Sequence, residues 1–597
     1  MSTRSPGTCP RSPGSSAAHL ALMVLAGPAL LTLVACQSRG VDVEEVLESG
    51  FFPEETDQSW HQGPPVHLAP TGPARYVEPL LAAFDADKAM ETTAYLDQWY
   101  RAPVNDGYLA SLEHVRARLE AAGYGGEDER FELREIVTEM DGPSWTPLSA
   151  SLVLHEEGAE PVELHGFTES TDSDRTILPL GTPPCDLTGP VCLELDRLQE
   201  GDVFVTDVDL RQIYSRAYRR GAAAVVSSYL QPFNVDPTGA DRHLDAVRYL
   251  GLPVPSEIPV AQISPRSYAA IAAAVARDPG ACLAYRADIK LEHRPMRTLV
   301  AAVRGADRDH EAVASAAHIQ EPGAGDNASG VGGLTEGAVS LAKALRAGLI
   351  DWPDRTLVFI FGDEFEQTEV WVEDTERIPV AGVSSDMVGN SPAKTGARAL
   401  LERMPDPGAR HVLPPDEHTP WGAGEVTHDM IVPSGLAVIA RCAMIDVGLA
   451  TGPWQSADHP WEGGSDHDVF IDRGIPAVLL WHFTDFSYHT SLDRMDMVDA
   501  LELERTEVVI LATMLAVASP LAQDLDRYVR SVELERAVRT QAAAGKPHIV
   551  ESWEGWCRGV VGWLRAECLR IPLDEAIPPR RSHLGSEEAP EAPGGEG

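Results

Sequence analysis

Acidic and imidazole side chains follow apolar runs at several separate places in this chain. Five stretches share the arrangement, at residues 316–330, 359–367, 383–390, 463–470 and 487–493. Short apolar runs bounded by turn residues are typical of buried strands, and an α/β sheet presents the side chains at its strand ends to a cleft. Carboxylates and imidazoles are the donors of hydrolytic divalent-metal sites. The pattern therefore predicts such a site at one edge of a sheet.

Each of these residues alone also has an ordinary structural explanation. A strand-end His or Asp often caps a helix, and the GDNASG run at residues 325–330 is compatible with a tight loop that leads into a helix. Two adjacent metals, however, need several converging acids and imidazoles and one shared carboxylate. The joint occurrence of five such sites in one order favours the metal interpretation.

These motifs resemble the di-zinc exopeptidase family, which includes bacterial secreted aminopeptidases and the glutamate carboxypeptidases. The resemblance spans residues 91–525. It implies a hydrolase that acts on peptide substrates and uses two divalent metal ions, with zinc as the expected metal. An aminopeptidase is the leading prediction.

The resemblance also implies a role for each matching residue. The implied metal ligands are His318 and Asp386 for the first ion, Asp326 as the bridge, and Glu364 and His489 for the second ion. Asp363 occupies the general-base position, and Tyr488 that of the Tyr that stabilises the tetrahedral oxyanion. Residues 464–467 and 474–477 match segments that line the substrate cleft.

The chain departs from the family pattern at two positions. Gln320 stands where the family has an Asp two residues after the first His, although its carbonyl can still accept the imidazole N–H. Asp363 replaces the usual Glu and is one methylene shorter. A shifted register, with Glu364 as the base and Glu366 as the ligand, is an alternative.

Several other readings remain open. A carboxypeptidase would need a basic group for the substrate carboxylate, for which Arg403 and Lys394 are candidates. A glutaminyl cyclase-like enzyme on the same fold would use one metal, and a degenerate relative would only bind peptides. Three further histidines, at positions 418, 467 and 482, either line the cleft or have structural roles.

Composition narrows the class of protein. The chain has 48 basic and 91 acidic residues and a formal net charge of −43, which argues against nucleic acid as a partner. With 44% apolar residues, its 597 residues are enough for two or three folded domains.

The first residues predict export. Arg4 and Arg11 precede an apolar run at residues 17–35, which is short for a membrane span. It ends in LVAC at residues 33–36, which resembles a bacterial lipoprotein processing box. The resemblance implies a signal peptide over residues 1–35, lipid attachment at Cys36, and a membrane-anchored protein at the outer membrane or cell surface.

The remaining pattern predicts an α/β protein with a mostly parallel central sheet flanked by helices. A Pro-rich tether is predicted at residues 36–90, and the catalytic domain at residues 91–156 and 293–525. Residues 157–292 resemble a protease-associated (PA) domain inserted into it. A helical extension is predicted at residues 526–577 and a disordered tail at 578–597. Export permits disulfides, with Cys185/Cys192 and Cys557/Cys568 near enough in sequence to close small loops.

Overall fold

The structure is a computed structural model that describes residues 68–168, 173–252 and 256–577. The predicted signal peptide, the lipid-bearing Cys36 and the tail at residues 578–597 lie outside these ranges. Within them, no helix combines the length and apolar character needed to cross a bilayer.

An eight-stranded sheet forms the centre of the larger part of the fold. Its strands are β1 (Phe131–Thr138), β9 (Met296–Val303), β10 (Arg308–His318), β11 (Arg355–Gly362), β12 (Ile378–Ser385), β13 (Arg398–Glu402), β14 (Ser456–His459) and β15 (Ala477–Phe483). Their order across the sheet is β1-β9-β11-β10-β12-β15-β13-β14. The four middle strands run parallel, whereas β9 pairs antiparallel with β1 and β11, and β13 pairs antiparallel with β15. The sheet is therefore mixed around the predicted parallel centre.

Helices cover both faces of this sheet, so its middle strands are apolar along their whole length. Every residue of β11 and β15 is buried. The α-helices are α1 (Ala74–Ala83), α2 (Ala86–Asp97), α3 (Asp106–Ala121), α4 (Leu210–Arg219), α5 (Pro265–Arg277), α6 (Ala328–Arg346), α7 (Glu366–Asp374), α8 (Pro392–Thr395), α9 (Pro407–Arg410), α10 (Leu436–Thr451), α11 (His467–Asp472), α12 (Ala500–Ala518), α13 (Leu525–Ala542), α14 (Pro547–Leu569) and α15 (Leu573–Ala576). Short 3-10 turns lie at Ser173–Ile177, Leu195–Arg197, Arg242–Asp245, Met495–Met497 and Ala522–Asp524.

A second, seven-stranded sheet lies between β1 and β9 in the chain. Its strands are β2 (Ser144–His155), β3 (Val162–Phe167), β4 (Cys185–Cys192), β5 (Val203–Thr206), β6 (Ala224–Ser227), β7 (Val260–Gln262) and β8 (Cys282–Glu292). Their order is β3-β2-β8-β4-β5-β6-β7. Because β2 pairs along its length with β8, the inserted unit starts near Ser144, before the predicted boundary at residue 157.

The predicted tether to residue 90 is wrong over its last part. The α1 helix buries Val77 and Leu80 completely, and Arg75 makes an ion pair with the buried Asp524. Pro73 precedes this helix, and Pro79 lies inside it, where it cannot donate an N–H to the carbonyl of Arg75. The Pro-rich composition therefore led to the prediction of a tether where the structure has a packed helix.

Apolar residues recur at helical spacing over residues 92–124, with a stop at Gly123, which predicts one helix. The structure has two helices there, α2 and α3. The break places Asn105 as the N-cap of α3, where its side chain accepts the Tyr108 N–H. It also places the buried Arg101 beside the loop that follows β10.

Neither short-range cysteine pair can form a disulfide in this fold. Cys185 and Cys192 are the two ends of β4, about 23 Å apart at ~3.3 Å per residue. Cys557 and Cys568 lie on α14, about 16 Å apart at ~1.5 Å per residue. A disulfide needs Cα atoms within about 7 Å.

Candidate metal centre

The ends of three adjacent parallel strands bring the predicted residues together. His318 is the last residue of β10 and is paired with Gly362 at the end of β11. Asp363 and Glu364 follow β11, and Asp386 follows β12. Parallel neighbours end at the same edge of a sheet, so these side chains come together at that edge. Asp326, in the loop before α6, and His489, in the loop after β15, complete the group.

Two groups of donors share Asp326. His318 Nε2 lies 3.3 Å from Asp386 Oδ2, 3.9 Å from Glu364 Oε1 and 3.7 Å from Asp326 Oδ1. His489 Nε2 lies 2.9 Å from Asp326 Oδ2. Asp326 thus presents one carboxylate oxygen to each imidazole, which is the arrangement of a bridging ligand.

Glu321 is a sixth member of the site that the sequence analysis missed. Its Oε2 atom lies 2.9 Å from His489 Nε2, and the donor atoms of Glu321, Asp326 and His489 lie within 4.8 Å of one another. The donors of His318, Glu364 and Asp386 form a second group within the same limit. The signal in the sequence was an acid three residues after His318, but the family pattern directed attention to Gln320.

The donor set fits divalent cations. In the described part of the chain, His318 Nε2 and Asp386 Oδ1 are buried without a hydrogen-bond partner. Such atoms are costly unless something binds them. Nitrogen and oxygen donors of this kind suit zinc and related metals.

The electrostatics of the site support the same conclusion. Burial, together with the nearby Glu321, raises the pKa of Asp326 well above its usual range. Burial opposes the protonation of His489, but Glu321 and Asp326 raise its pKa to about 10. Similarly, burial alone would lower the pKa of His318, but the carboxylates of Glu364, Asp386 and Asp326 hold it well above its usual range. These crowded groups retain protons in order to limit their mutual repulsion, and a bound cation would replace those protons.

Gln320 has two contacts at the first imidazole. Its main-chain carbonyl, rather than its side chain, lies 2.9 Å from His318 Nδ1 and fixes the ring. Its side-chain amide donates to Glu364 Oε2 at 3.2 Å. The missing Asp is therefore replaced by a backbone acceptor, which leaves the ring oriented.

The loop that carries Asp326 is held by its neighbours. Asp493 accepts the main-chain N–H groups of Gly325 and Asp326 at 2.6 and 2.9 Å. The Asn327 side chain accepts the N–H of Met387 and donates to the carbonyl of Ser385, which joins this loop to the one that carries Asp386. A Cβ at position 323 would collide with Asp493, which explains the glycine there.

His489 is sandwiched between two aromatic rings. Tyr488 stacks on it with ring centroids 3.9 Å apart, and Tyr249 of the inserted unit meets it edge-on at 5.5 Å. The Tyr249 N–H also donates to the His489 carbonyl at 2.7 Å. The inserted unit thus positions a candidate ligand, although none of its own residues had been predicted to take part.

Backbone strain concentrates at this site. Seven non-glycine residues in the described ranges have positive φ, and four of them belong to the site: Glu321, Phe365, Met387 and His489. Such conformations cost about 1–3 kcal/mol each and persist where the surroundings enforce them.

The cleft beside these donors has a volume of about 230 Å³. Its walls are formed by Glu321, Asp326, Glu364, Phe365, Asp386, Met387, Trp421, Gly463, Gly464, Ser465, Leu479, Trp481, Tyr488 and His489. These lining residues include no Lys or Arg, and they do not include Asp363. Burial, with Glu366 nearby, raises the pKa of Asp363 to about 8.

Several residues considered from the sequence lie elsewhere. Arg403 is buried against Asp406 and Asp416, and Lys394 is exposed outside the cleft. Of the two segments predicted to line the cleft, 464–467 contributes Gly464 and Ser465, and 474–477 contributes no lining residue.

The three uncertain histidines bind carboxylates. His467 contacts Glu402 at 2.9 Å, His482 contacts Glu502 at 3.1 Å, and His418 contacts Glu462 at 3.1 Å. All three side chains hold neighbouring segments in place. Trp421, which follows His418, is the residue of that loop that reaches the cleft.

Comparison with solved structures identifies the fold. A peptidase M28 precursor from Shewanella amazonensis SB2B is 16% identical, with a TM-score of 0.50, and the match covers 75% of this chain and 97% of that one. BSAP, a zinc aminopeptidase from Bacillus subtilis, is 15% identical with a TM-score of 0.49, over 73% of this chain and 95% of that one. An aminopeptidase from Aneurinibacillus sp. strain AM-1 is 17% identical with a TM-score of 0.45, over 74% and 96%. The chain thus has the fold of the Shewanella M28 peptidase precursor. No family model matches the sequence, and no curated protein does.

Proposed function

We propose that this protein is a metallo-exopeptidase that uses two divalent cations, in the first instance zinc, and removes amino-terminal residues from peptides. The observation that carries the proposal is the position of Asp326, with one oxygen towards each of two imidazoles. A single cation would not need that arrangement, which disfavours the one-metal cyclase alternative.

Each cation would have donors from separate elements. His318 and Asp386 belong to one and His489 to the other, with Asp326 between them. When bound, such cations polarise a carbonyl and lower the pKa of water from 15.7 to roughly 7. We assign Asp363, which directly precedes Glu364, as the acceptor of the water proton and its donor to the leaving amine.

Tyr488 has the place of an oxyanion donor. It lines the cleft, stacks on His489, and is fixed by edge-on contacts with Trp421 at 5.7 Å and Phe483 at 5.7 Å. Burial, with Asp326 nearby, raises its pKa well above the usual range, so its hydroxyl keeps its proton. A donor held in this way stabilises the negative charge that develops on the attacked carbonyl.

The lining of the cleft disfavours a carboxypeptidase. Its four carboxylates, Glu321, Asp326, Glu364 and Asp386, would be taken up by the two cations. A substrate carboxylate would find no Lys or Arg among the lining residues. Arg403 is bound by buried aspartates and is not available for that role.

A substrate panel tests the proposal. Purified residues 37–597 would be assayed on aminoacyl-arylamides and on peptides with free and blocked amino termini, with and without a chelator. We expect cleavage that the chelator abolishes, that zinc restores and that amino-terminal blocking prevents. Cleavage of blocked peptides would contradict the aminopeptidase assignment. A complete lack of chelator-sensitive turnover would support a peptide-binding relative instead.

We also propose export with lipid attachment at Cys36, from the LVAC sequence alone. Metabolic labelling with a radioactive fatty acid in a bacterial host tests it. The label should enter the wild-type chain and not the Cys36→Ser variant, and equal labelling of both would contradict the assignment.

A further inference from the structure

We propose that Glu321 is the carboxylate ligand of the cation beside His489, and that Glu364 belongs with the cation beside His318. This inference rests on the proposed function, because it assigns donors to its two cations. It differs from the assignment that the family resemblance implies, in which Glu364 binds with His489.

The distances divide the donors in this way. Glu321 Oε2 and Asp326 Oδ2 each lie 2.9 Å from His489 Nε2, and the three donors lie within 4.8 Å of one another. Glu364 is grouped with His318 and Asp386 instead. Two oxygens and one imidazole nitrogen on one side give three protein ligands, which is the number typical of a catalytic zinc with an open position.

The turn at Glu321 is built to deliver this side chain. Glu321 has φ of +89°, a conformation that a non-glycine residue adopts only when held. Two buried arginines hold it. Arg101 donates to the carbonyls of Ile319 at 2.8 Å and Gly323 at 2.6 Å, and Arg175 donates to that of Pro322 at 2.7 Å. The Glu321 N–H donates to the Arg101 carbonyl at 2.9 Å.

Gln320 explains why Glu364 lies on the other side. Its amide donates to Glu364 Oε2, while Glu364 Oε1 faces His318. Relative to the family pattern, an amide stands two residues after His318 and a carboxylate three residues after it. The carboxylate of this loop therefore faces His489, the second imidazole, and not His318, the first.

The total charge of the site fits two divalent cations. Four carboxylates converge on the two imidazoles: Glu321, Asp326, Glu364 and Asp386. Two divalent cations would neutralise four negative charges in a buried site, where uncompensated charge is costly.

Zinc titration tests the assignment. Metal-free wild type, Glu321→Gln, Glu364→Gln and Glu366→Gln would be titrated with zinc by calorimetry, and bound zinc counted by mass spectrometry after dialysis. Glu366, the first residue of α7, is a charge control that belongs to neither donor group. We expect two zinc ions in wild type and in Glu366→Gln. In Glu321→Gln we expect one zinc ion bound with wild-type affinity and a second bound at least about tenfold more weakly than in wild type. Tenfold is about the lower end of the affinity loss found when groups around a metal are replaced.

Pairing the variants identifies which cation is lost. Glu321→Gln combined with His489→Ala should bind as much zinc as His489→Ala alone, because both affect one cation. Glu364→Gln combined with His489→Ala should bind less than His489→Ala alone. Unchanged binding of two ions by Glu321→Gln, or the opposite pairing result, would overturn the inference.

Folding is checked by the circular-dichroism melting curve of each metal-free variant. Should Glu321→Gln unfold, Glu321→Asp is used instead, with weaker second-ion binding expected and wild-type affinity contradicting the assignment. Wild type without zinc binding and without chelator-sensitive hydrolysis would refute the proposed function itself. Two zinc ions and hydrolysis in wild type, with Glu321→Gln unaffected, would refute only the role of Glu321.

Discussion

Asp326 is the residue on which the site depends, because its two oxygens lie 3.7 Å from His318 Nε2 and 2.9 Å from His489 Nε2. Around it, Asp363 and Glu364 follow β11 and Asp386 follows β12, while β10 ends in His318. The metal-binding roles of the acids follow from which imidazole each one faces, whereas Asp363 is assigned as the base from its position directly before Glu364. Asp363 and Glu364 are the pair where this matters most, since they are adjacent and chemically alike.

Replacing Asp363 with Asn should lower kcat, because it removes the proton acceptor. The expected decrease is roughly 10²–10⁴-fold, the usual contribution of general acid–base catalysis. Zinc content should stay at the wild-type value. The matched control is Asp374→Asn, at the end of α7. Steady-state kinetics on an aminoacyl-arylamide would measure the effect. Wild-type kcat in Asp363→Asn, with a loss in Glu364→Gln, would instead support Glu364 as the base, since it lines the cleft.

At this scale, the strand-like apolar runs predicted a site at one edge of the sheet, and the family resemblance implied which five acids and imidazoles belong to it. Glu321 was missed, because an acid three residues after His318 becomes a candidate ligand only through the left-handed turn that directs its side chain to His489. Trp421 was missed for a similar reason. It reaches the cleft through a loop that Glu462 holds by accepting from Thr419.

The loop at residues 486–491 is an element shared by the two sheets. The inserted unit holds it from one side: Asn234 donates to the carbonyls of Phe486 and Tyr488 at 2.9 Å each, and the Ser491 N–H donates to the Val247 carbonyl at 2.7 Å. His489 and Tyr488 therefore owe their position to contacts more than 200 residues away in sequence. No local sequence pattern could have indicated these long-range contacts.

Removing the Asn234 side chain should loosen this loop. Asn234→Ala leaves the buried Phe486 carbonyl and the partly buried Tyr488 carbonyl without their donor, at a cost of about 1–3 kcal/mol for a buried group. We expect a lower melting temperature and weaker binding of the zinc ion beside His489. The control is Gln212→Ala, on the exposed face of α4 in the same unit. Melting curves and zinc titration measure both effects, and wild-type values for Asn234→Ala would show that the insertion does not position the loop.

Helix α12 carries a buried acid, Glu507, beneath the strand that leads to Asp386. The Ser385 hydroxyl donates to its Oε2 at 3.2 Å, and burial raises the pKa of Glu507 to about 8. The folded state thus holds this proton more tightly than the unfolded state. The resulting stability is fully present below the unfolded pKa, near 4.3, and is lost as the pH rises through about 8.

Glu507→Gln should therefore gain stability relative to wild type as the pH rises from 5 to 8. The expected gain is at least about 1 kcal/mol, since one pKa unit corresponds to about 1.4 kcal/mol. Urea unfolding at several pH values measures it. Glu551→Gln, an exposed substitution on α14, is the control. A difference between wild type and Glu507→Gln that stays constant with pH would contradict the prediction.

At the scale of the whole molecule, the C-terminal helices join the sheet through buried ion pairs. Arg403 after β13 contacts Asp406 and Asp416 at 2.8 Å, and Arg539 of α13 contacts Asp416 at 2.6 Å. Arg441 of α10 contacts Asp458 at 2.6 Å. These groups are almost fully buried, so removal of one partner leaves a charge that water cannot reach.

Replacing Arg539 with Met should destabilise the protein by about 3–5 kcal/mol, the range for breaking a buried ion pair from one side. The change should appear as a lower urea midpoint. Arg536→Met, exposed on the same helix, is the matched control. Equal midpoints for the two variants would show that the buried network does not hold the extension.

Periodicity predicted the α/β class and the parallel centre of the main sheet, because buried parallel strands read as continuous apolar runs. It placed the start of the insertion too late, since β2 alternates in burial like any antiparallel strand and its partner β8 is more than 100 residues away. The predicted tether covered α1, because the Pro-rich stretch at residues 64–73 directly precedes that helix. The likeness of the insertion to a protease-associated domain stays a prediction.

Anomalous X-ray diffraction at the zinc absorption edge, from crystals of the zinc-loaded protein, tests the central claim most directly. Two peaks are expected, one beside His318 and Asp386 and the other beside His489, with the Asp326 carboxylate between them. A single peak, or two peaks with Asp326 bound to neither, would contradict the account.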